Sequence, residues 1–172
     1  MRKINAPDDV DIISEQWLAR GLDADVNAMQ IAARTLRFSK ALETRIGNLH
    51  SQFNLKQGEF DVLAALKRVD GKALTPSELY QSMLLSSGAM TSRLDRLENK
   101  GLISRTHCSH DRRSIKVSLT PAGKKLIEQV APAHFDLLAF LLNGMSENDK
   151  TQLAHLLKGC LHQLESQTEI SE

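Results

Sequence analysis

The sequence predicts a mainly α-helical protein with one small β-hairpin. Apolar residues recur at helical spacing along most of the 172 residues. A central stretch, 114–119, instead alternates polar and apolar residues as a strand does. Gly101 ends a helix ahead of this hairpin, and Thr120-Pro121 begins another directly behind it. The order helix, hairpin, helix therefore defines the centre of the chain.

Composition and charge are those of a globular domain of ordinary size. Apolar residues make up 41% of the chain and charged residues 25%, and 22 Lys/Arg oppose 21 Asp/Glu. Because no apolar run approaches about 18 residues and no apolar signal core follows Met1, we expect a cytoplasmic protein without membrane spans. Cys108 and Cys160 are too few for a disulfide framework, and Cys160 is expected in the core.

Helices are predicted along almost the whole chain. The segment 10–20 forms a short extra N-terminal helix, and others cover about 25–51, 56–69 and 76–83. A capping box, Thr75-Pro76-Ser77-Glu78, begins the last of these. Behind the hairpin, a helix runs from Pro121 to about residue 143, with Pro132 expected to bend or split it, and Ser146 caps a final helix.

The helix ahead of the hairpin has a polar side suited to contact nucleic acid. Met90, Leu94 and Leu97 recur at i, i+4 and i+7 and face inward. Short polar groups and one long cation occupy the other faces, and such groups match base edges and phosphates. These residues are Ser87, Thr91, Ser92 and Arg96. Ser86 or Ser87 is a plausible N-cap.

Helix, hairpin and helix together predict a winged helix-turn-helix. In that architecture one helix enters the major groove of DNA, while the hairpin tip reaches the neighbouring minor groove. The tip carries Arg112 and Arg113, and arginine suits a narrow, strongly negative groove. Residues 87–125 hold nine Lys/Arg against three Asp/Glu, so positive charge is concentrated here. The alternative is a winged helix that binds proteins and not DNA.

The terminal helices predict a dimer. They carry more apolar residues than a small winged domain could bury, so we expect a second copy to cover them. The predicted regions are a helical dimerisation region, 1–54 and 121–172, and a DNA-binding region, 55–120. A symmetric dimer would read a pseudo-palindromic operator with half-sites about one DNA turn apart.

The run Asp111-Arg112-Arg113-Ser114, continued by 115–123, resembles the D-x-R-S-x-x-V-x-L-T-x-x-G wing signature of the MarR family of bacterial transcription regulators. The preceding 87–105 looks like the recognition helix and first wing strand of that family, so the resemblance covers about 38 residues. The resemblance implies a DNA-binding regulator that acts as a repressor. In the family, the Asp and second Arg of D-x-R commonly pair, which would leave Arg112 as the groove contact.

One branch of this family, the HucR and PecS type, has an extra N-terminal helix with a Trp and responds to urate. Trp17, Asp61, Arg93 and Arg105 occupy the places of its ligand set in order. This resemblance implies a small anionic aromatic effector, urate or a related purine, that releases the DNA. Spacing alone favours other roles: an Asp61–Arg93 ion pair between helices, a hydrophobic Trp17 contact, and a wing cation at Arg105 that faces DNA.

Enzyme, metal and redox functions have weaker sequence signals. Cys108 lies between His107 and His110, but three donors at this spacing suit zinc poorly, and a solvated wing tip is favoured over a thiol sensor. A redox-sensing regulator using Cys108 is retained as an alternative. The sequence has no G-x-S-x-G, H-E-x-x-H or phosphate-binding glycine loop, so we expect neither catalysis nor a cofactor or metal.

Overall fold

The computed structural model describes residues 6–21, 25–56, 58–69, 71–83, 90–107 and 115–169. Within them the chain forms seven α-helices and a two-stranded antiparallel sheet, which confirms the predicted fold class. None of the described helices is both long and apolar enough to cross a membrane. The elements are α1 (Asp9–Ala19), α2 (Val26–Gln52), α3 (Glu59–Arg68), α4 (Pro76–Ser82), α5 (Met90–Asn99), β1 (Ile103–His107), β2 (Ile115–Leu119), α6 (Pro121–Leu141) and α7 (Glu147–Glu169).

The chain divides into two compact units, Met1–Phe60 and Asp61–Glu172. The boundary falls within α3, close to the predicted boundary at residues 54 and 55. The first unit holds α1 and α2, and the second holds the remaining helices and the sheet. The predicted assignment of 1–54 and 121–172 to dimerisation, and of 55–120 to DNA binding, stays a prediction.

Charged side chains hold the start of α1 against α2. The carboxylate of Asp8, the N-cap, accepts hydrogen bonds from the backbone N–H groups of Val10 and Asp11, at 2.8 and 3.1 Å. The Asp11 carboxylate accepts in turn from the Asp8 N–H at 2.9 Å, which completes a capping box. Arg34 of α2 donates to both carboxylates, over 3.0 Å to Asp8 and 2.7 Å to Asp11. One guanidinium therefore fixes where α1 begins.

The core of the second unit collects one face of each of the helices α3, α4, α5 and α6 and the inner side of the sheet. Leu63 and Leu66 of α3 and Leu79 of α4 are almost completely buried. The predicted capping box positions α4, since Thr75 Oγ1 accepts from the Glu78 N–H and the Glu78 carboxylate accepts from the Thr75 N–H. The other buried core residues here include Leu94, Leu97, Ile103, Val117, Ile127 and Val130.

The hairpin pairs β1 and β2 in register from Ile103 opposite Leu119 to His107 opposite Ile115. Val117 is fully buried and Lys116 is exposed, which confirms the predicted alternation. Leu74, between α3 and α4, forms an antiparallel bridge with Val117 on the other side of β2. The connection between α3 and α4 therefore runs along the sheet.

The first turn of α6 packs tightly on the turn that follows α5. Thr120 caps the helix by accepting from the Gly123 N–H at 3.0 Å, and its hydroxyl donates to the Gly101 carbonyl at 2.7 Å. The Thr120 N–H donates to the Leu102 carbonyl at 3.1 Å. A Cβ atom on Gly123 would lie 1.9 Å from the Leu102 carbonyl oxygen. This position therefore requires glycine because of the close backbone approach.

Two details of the C-terminal helices differ from expectation. Pro132 lies inside α6, which continues unbroken from Pro121 to Leu141, so the helix is not split there. Cys160 is exposed on α7, so its predicted core position is wrong in the single chain. The predicted Ser146 cap is confirmed, because its hydroxyl accepts from the Asp149 N–H at 3.2 Å.

We expect Gly123→Ala to destabilise the protein by about 2 kcal/mol, because the new methyl group forces α6 away from the Leu102 carbonyl. Urea denaturation followed by circular dichroism measures this change. Gly159→Ala is the matched control, since Gly159 lies within α7 with open space around its Cα. Its stability should be unchanged or slightly higher, because alanine favours helix. Equal stability of the two variants would contradict the steric argument.

We expect acid to release α1. Hydrogen bonds from Arg34 hold the pKa of Asp8 at about 2, and the Asp8 N–H and Arg34 lower the pKa of Asp11. Because both folded-state values lie below the ordinary 3.8, this stabilisation is present above that pH and is lost as the pH falls towards 2. Fluorescence anisotropy of Trp17, the single tryptophan, should fall over this range.

The variant Arg34→Met should already show the lower Trp17 anisotropy at pH 5, and its acid step should disappear. Arg37→Met is the control, because Arg37 makes one exposed ion pair with Asp9 and none of the capping contacts. Circular dichroism at 222 nm distinguishes release of α1 from global unfolding. Wild-type anisotropy and a retained acid step in Arg34→Met would contradict the role of Arg34.

Candidate functional site

The helix α5 presents a polar side to solvent and packs its apolar side into the second unit. Leu94 and Leu97 are buried, whereas Thr91 and Ser92 in the first turns are exposed. Arg96 lies one turn after Ser92 and donates through Nη1 to the Ser92 hydroxyl. The described part of the predicted DNA-reading set, Thr91, Ser92 and Arg96, thus lies on an accessible helix surface.

A left-handed residue ends α5, as the sequence predicts. Gly101 has a φ of +67°. Its N–H donates to the Glu98 carbonyl at 2.8 Å, and the Leu102 N–H donates to the Leu97 carbonyl at 3.0 Å. These bonds satisfy the last carbonyl groups of the helix and turn the chain into β1.

Several predicted site residues lie outside the described residues. Ser87 and the proposed N-cap of α5 fall within 84–89. The wing tip falls within 108–114, which includes Arg112, Arg113 and Cys108. The DNA contacts predicted for these positions, and the redox alternative at Cys108, stay predictions.

Arg105 on β1 is held by two carboxylates of α5. Its Nε donates to a Glu98 carboxylate oxygen at 2.8 Å, and its Nη2 lies 2.8 Å from Asp95 Oδ1. The Arg105 backbone N–H also donates to Glu98, at 3.2 Å. Glu98 and Asp95 raise the pKa of Arg105, and Arg105 lowers the pKa of Glu98. We call Arg105, Glu98 and Asp95 the α5–β1 clamp.

Arg93 lies on the side of α5 that faces the protein, as predicted, and one of its guanidinium nitrogens lacks a hydrogen-bond acceptor among the described residues. The Nη1 atom of Arg93 is buried and has no hydrogen-bond partner within the described part of the chain. A buried cationic donor without an acceptor is costly, because it has lost its hydration and gained nothing in return. The Asp61–Arg93 ion pair stays a prediction.

Asp61 on α3 has a neighbour that the sequence did not indicate. Burial lowers the pKa of His134, on α6, and the charge of Asp61 opposes this shift. Asp61 and His134 therefore interact electrostatically within the second unit. His134 is half-buried on a mostly apolar helix, and a single histidine in such a pattern does not predict a functional role from the sequence.

Trp17, the fourth residue of the predicted ligand set, lies on α1 in the first unit. Half of its surface is exposed in the single chain, and the hydrophobic contact that spacing favours for Trp17 stays a prediction. Asp61, Arg93 and Arg105 all belong to the second unit. A common ligand site for the four residues stays a prediction.

Comparison with known proteins decides the family. A family model described as MarR family matches residues 53–114. The HTH-type transcriptional regulator PecS of Dickeya dadantii (strain 3937) is 34% identical over 150 residues, which cover 87% of this chain and 90% of PecS. The chain belongs to the MarR family. The membership that the wing signature predicts is thereby confirmed.

Other MarR relatives agree. The HTH-type transcriptional repressor YetL of Bacillus subtilis (strain 168) is 26% identical over 133 residues, covering 77% of this chain and 80% of YetL. The crystal structure of a mutant MarR from E. coli complexed with operator DNA superposes with a TM-score of 0.68 at 26% identity, covering 80% and 99% of the two chains. This chain is therefore a MarR-family transcriptional regulator and not an enzyme.

We expect Glu98→Ala to loosen the α5–β1 clamp. The Arg105 N–H loses its acceptor and the guanidinium retains Asp95, so amide exchange of Arg105 should accelerate about fivefold or more. Hydrogen exchange read by NMR measures the rate. Glu165→Ala, at an exposed position of α7, is the control and should leave it unchanged. Equal exchange rates in the wild type, Glu98→Ala and Glu165→Ala would show that the clamp does not order the backbone at Arg105.

Proposed function

We propose that this MarR-family regulator acts in the cytoplasm as a homodimeric repressor that binds a pseudo-palindromic operator and is released by urate or a related anionic aromatic ligand. The exposed polar side of α5 is the observation that carries the DNA-binding part. Thr91 and Ser92 offer short donors and acceptors, and Arg96 adds a long cation one turn later. Ser87, Arg112 and Arg113 complete the proposed DNA-contacting set.

Exposed apolar side chains support the homodimer. Helices α1, α2, α6 and α7 all expose large apolar residues, and several are more than half exposed. Apolar surface on this scale favours association, and a second copy supplies the matching faces in a symmetric dimer. Examples are Ile12, Leu18, Ile31, Leu36, Phe135, Phe140, Leu156, Leu161 and Leu164. A dimer also places two α5 helices against two half-sites.

The state of Arg93 supports an anionic ligand. A ligand oxygen at Arg93 Nη1 would satisfy a buried cationic donor that has no acceptor among the described residues. Urate is a flat anion, so Trp17 can stack on its face while arginines bind its oxygens. Asp61 completes the proposed ligand set of Trp17, Asp61, Arg93 and Arg105.

The α5–β1 clamp suggests how a ligand acts on DNA binding. Arg105 can bind an anion only by giving up part of its contact with Glu98 and Asp95. Both carboxylates belong to α5, so ligand at Arg105 loosens the helix that reads DNA. The ligand then favours a dimer whose α5 helices no longer match the operator.

The names of relatives support the DNA-binding and repressor parts of this proposal. MarR of E. coli has been crystallised with operator DNA, and YetL is a transcriptional repressor. PecS is a transcriptional regulator of the same family.

Fluorescence anisotropy tests this proposal on the intergenic DNA beside the gene for this protein. We expect tight binding at low salt and release on titration with urate at fixed salt. Arg96→Ala should weaken binding about tenfold and make the log–log salt dependence shallower by about one unit, because one phosphate contact is lost. Arg45→Ala, at an exposed position of α2, is the matched control and should bind as the wild type does.

Trp17→Phe and Arg105→Ala test the ligand part separately. Trp17→Phe should bind DNA as the wild type does and resist release by urate. Arg105→Ala should also lose the response to urate, and its DNA binding should be weaker because the α5–β1 clamp is removed. If the wild type binds DNA tightly and urate does not release it, the urate assignment is wrong, but the assignment as a DNA-binding regulator is kept. Peroxide release that Cys108→Ser abolishes would then select the redox alternative. Absence of DNA binding at low salt would contradict the whole proposal.

A further inference from the structure

A cleft in the second unit has no role in the proposed DNA or effector contacts. It lies among the end of α3, the turn before α4, the end of β2 and the start of α6, and its volume is about 350 Å³. Leu66, Leu119 and Pro121 give it an apolar lining. Clefts that bind small molecules combine such surface with a few polar groups and begin at about 300 Å³.

Three lysines surround this apolar lining. Lys67, Lys72 and Lys124 all line the cleft, and none of its described lining residues is acidic. Glu128, outside the lining, pairs with Lys67 at 2.6 Å, and Lys67 and Lys124 lower its pKa. Within the part of the chain that the structure describes, Glu128 is thus the carboxylate that opposes part of the charge of the three ammonium groups.

Backbone groups at the start of α6 add to the positive potential. Pro121 has no N–H, and the Gly123 N–H is bound to Thr120. The Ala122 N–H, in the first turn, has no acceptor within its own helix. The positive end of a 21-residue helix therefore adjoins the lysines on one side of the cleft.

The sheet register places this cleft away from the DNA-contacting residues. Leu74 pairs with Val117 in an antiparallel bridge, so Lys72 lies opposite Leu119, at the base of the hairpin. The wing tip follows His107 at the other end, four residues along the strand or roughly 13 Å away. The cleft therefore shares no described lining residue with the proposed DNA contacts at the wing tip and the first turns of α5.

The character of the cations selects the ligand class. Lysines bind phosphate as point charges, and the planar fork of arginine, which suits carboxylates and phosphates alike, is absent from the described lining. A phosphate monoester carries nearly two negative charges at neutral pH, which matches a cluster of three lysines better than a single carboxylate does. The apolar lining favours an organic group on the ester oxygen.

We infer that this cleft binds a small organic phosphate monoester, with the phosphate at Lys72 and Lys124 and the organic group on Leu119 and Pro121. This site is separate from the proposed ligand set of Trp17, Asp61, Arg93 and Arg105. Binding here does not depend on the proposed operator or on urate.

Phenyl phosphate is the probe, titrated into the full-length ¹⁵N-labelled protein without DNA and followed by NMR. We expect saturable shifts of the Lys72, Ala122 and Lys124 amide signals with a dissociation constant of about 1 mM or tighter. The double variant Lys72→Gln/Lys124→Gln should bind at least about tenfold more weakly. Lys40→Gln/Lys158→Gln, at exposed positions of α2 and α7, is the matched control and should bind as the wild type does.

Two further ligands test the chemical class. Benzoate has the same ring with one negative charge, and inorganic phosphate has the charge without the ring, so both should bind several-fold more weakly. Benzoate binding as tight as that of phenyl phosphate would overturn the phosphate assignment, and equal binding of inorganic phosphate would overturn the role of the apolar lining. Shifts that do not saturate, or that persist in the double variant, would overturn the site.

Operator binding by the same double variant separates this inference from the proposed function. Unchanged operator affinity together with lost phenyl phosphate binding supports a separate site. A salt dependence shallower by about two units, with no phenyl phosphate binding in the wild type, would instead assign both lysines to DNA phosphates and overturn the inference. Failure of the protein to bind any operator leaves the phosphate titration valid, since it contains no DNA.

Discussion

The close contact between Gly123 and the Leu102 carbonyl is the constraint on which the second unit depends. Two backbone segments meet here with no room for a Cβ atom, and Thr120 bonds to both Gly101 and Leu102 across the same contact. The end of α5, the base of the hairpin and the start of α6 are thereby fixed together. Any surface built on α5 and the wing takes its orientation from this junction.

Charge supplies the second constraint on α5. The helix carries Asp95 and Glu98 near its C-terminal end, where acidic residues interact unfavourably with the helix dipole. Arg105 compensates both from β1. The unfavourable interaction of these two acidic residues with the helix dipole is therefore offset by their ion pairs with Arg105. These ion pairs join the helix to the wing, and a pair of neutral residues could not form them.

Local chemistry explains which parts of the fold were predictable. The caps formed by Thr75 and Glu78, by Thr120, and by Gly101 rest on bonds to residues three positions away, so these capping roles follow from the sequence. The alternation around Val117 also has one structural solution, because one side of a hairpin on a core must be apolar. The resemblance to the MarR wing signature then indicates how these elements follow one another in the fold.

Contacts between distant positions were not predictable in the same way. Asp95 and Glu98 look like ordinary solvated helix charges until the turn at Gly101 brings Arg105 beside them. Cys160 lies in an apolar stretch of α7, and sequence cannot tell whether such a face is covered within the chain or by a second copy. Lys124 is far from Lys67 and Lys72 in the sequence, so the cleft that all three line emerges only in the folded unit.

Arg93 and Arg105 contribute differently to the free energy of the proposed switch. An anion at Arg93 would accept a hydrogen bond from Nη1, which has no acceptor among the described residues. This contact therefore favours ligand binding, and no hydrogen bond of Nη1 has to be broken to form it. An anion at Arg105 must compete with Glu98 and Asp95, so this contact changes the position of α5 at the expense of affinity. Coupling between two sites is reciprocal. DNA that holds α5 in its clamped position therefore weakens the ligand at Arg105 by the same factor as the ligand weakens DNA binding.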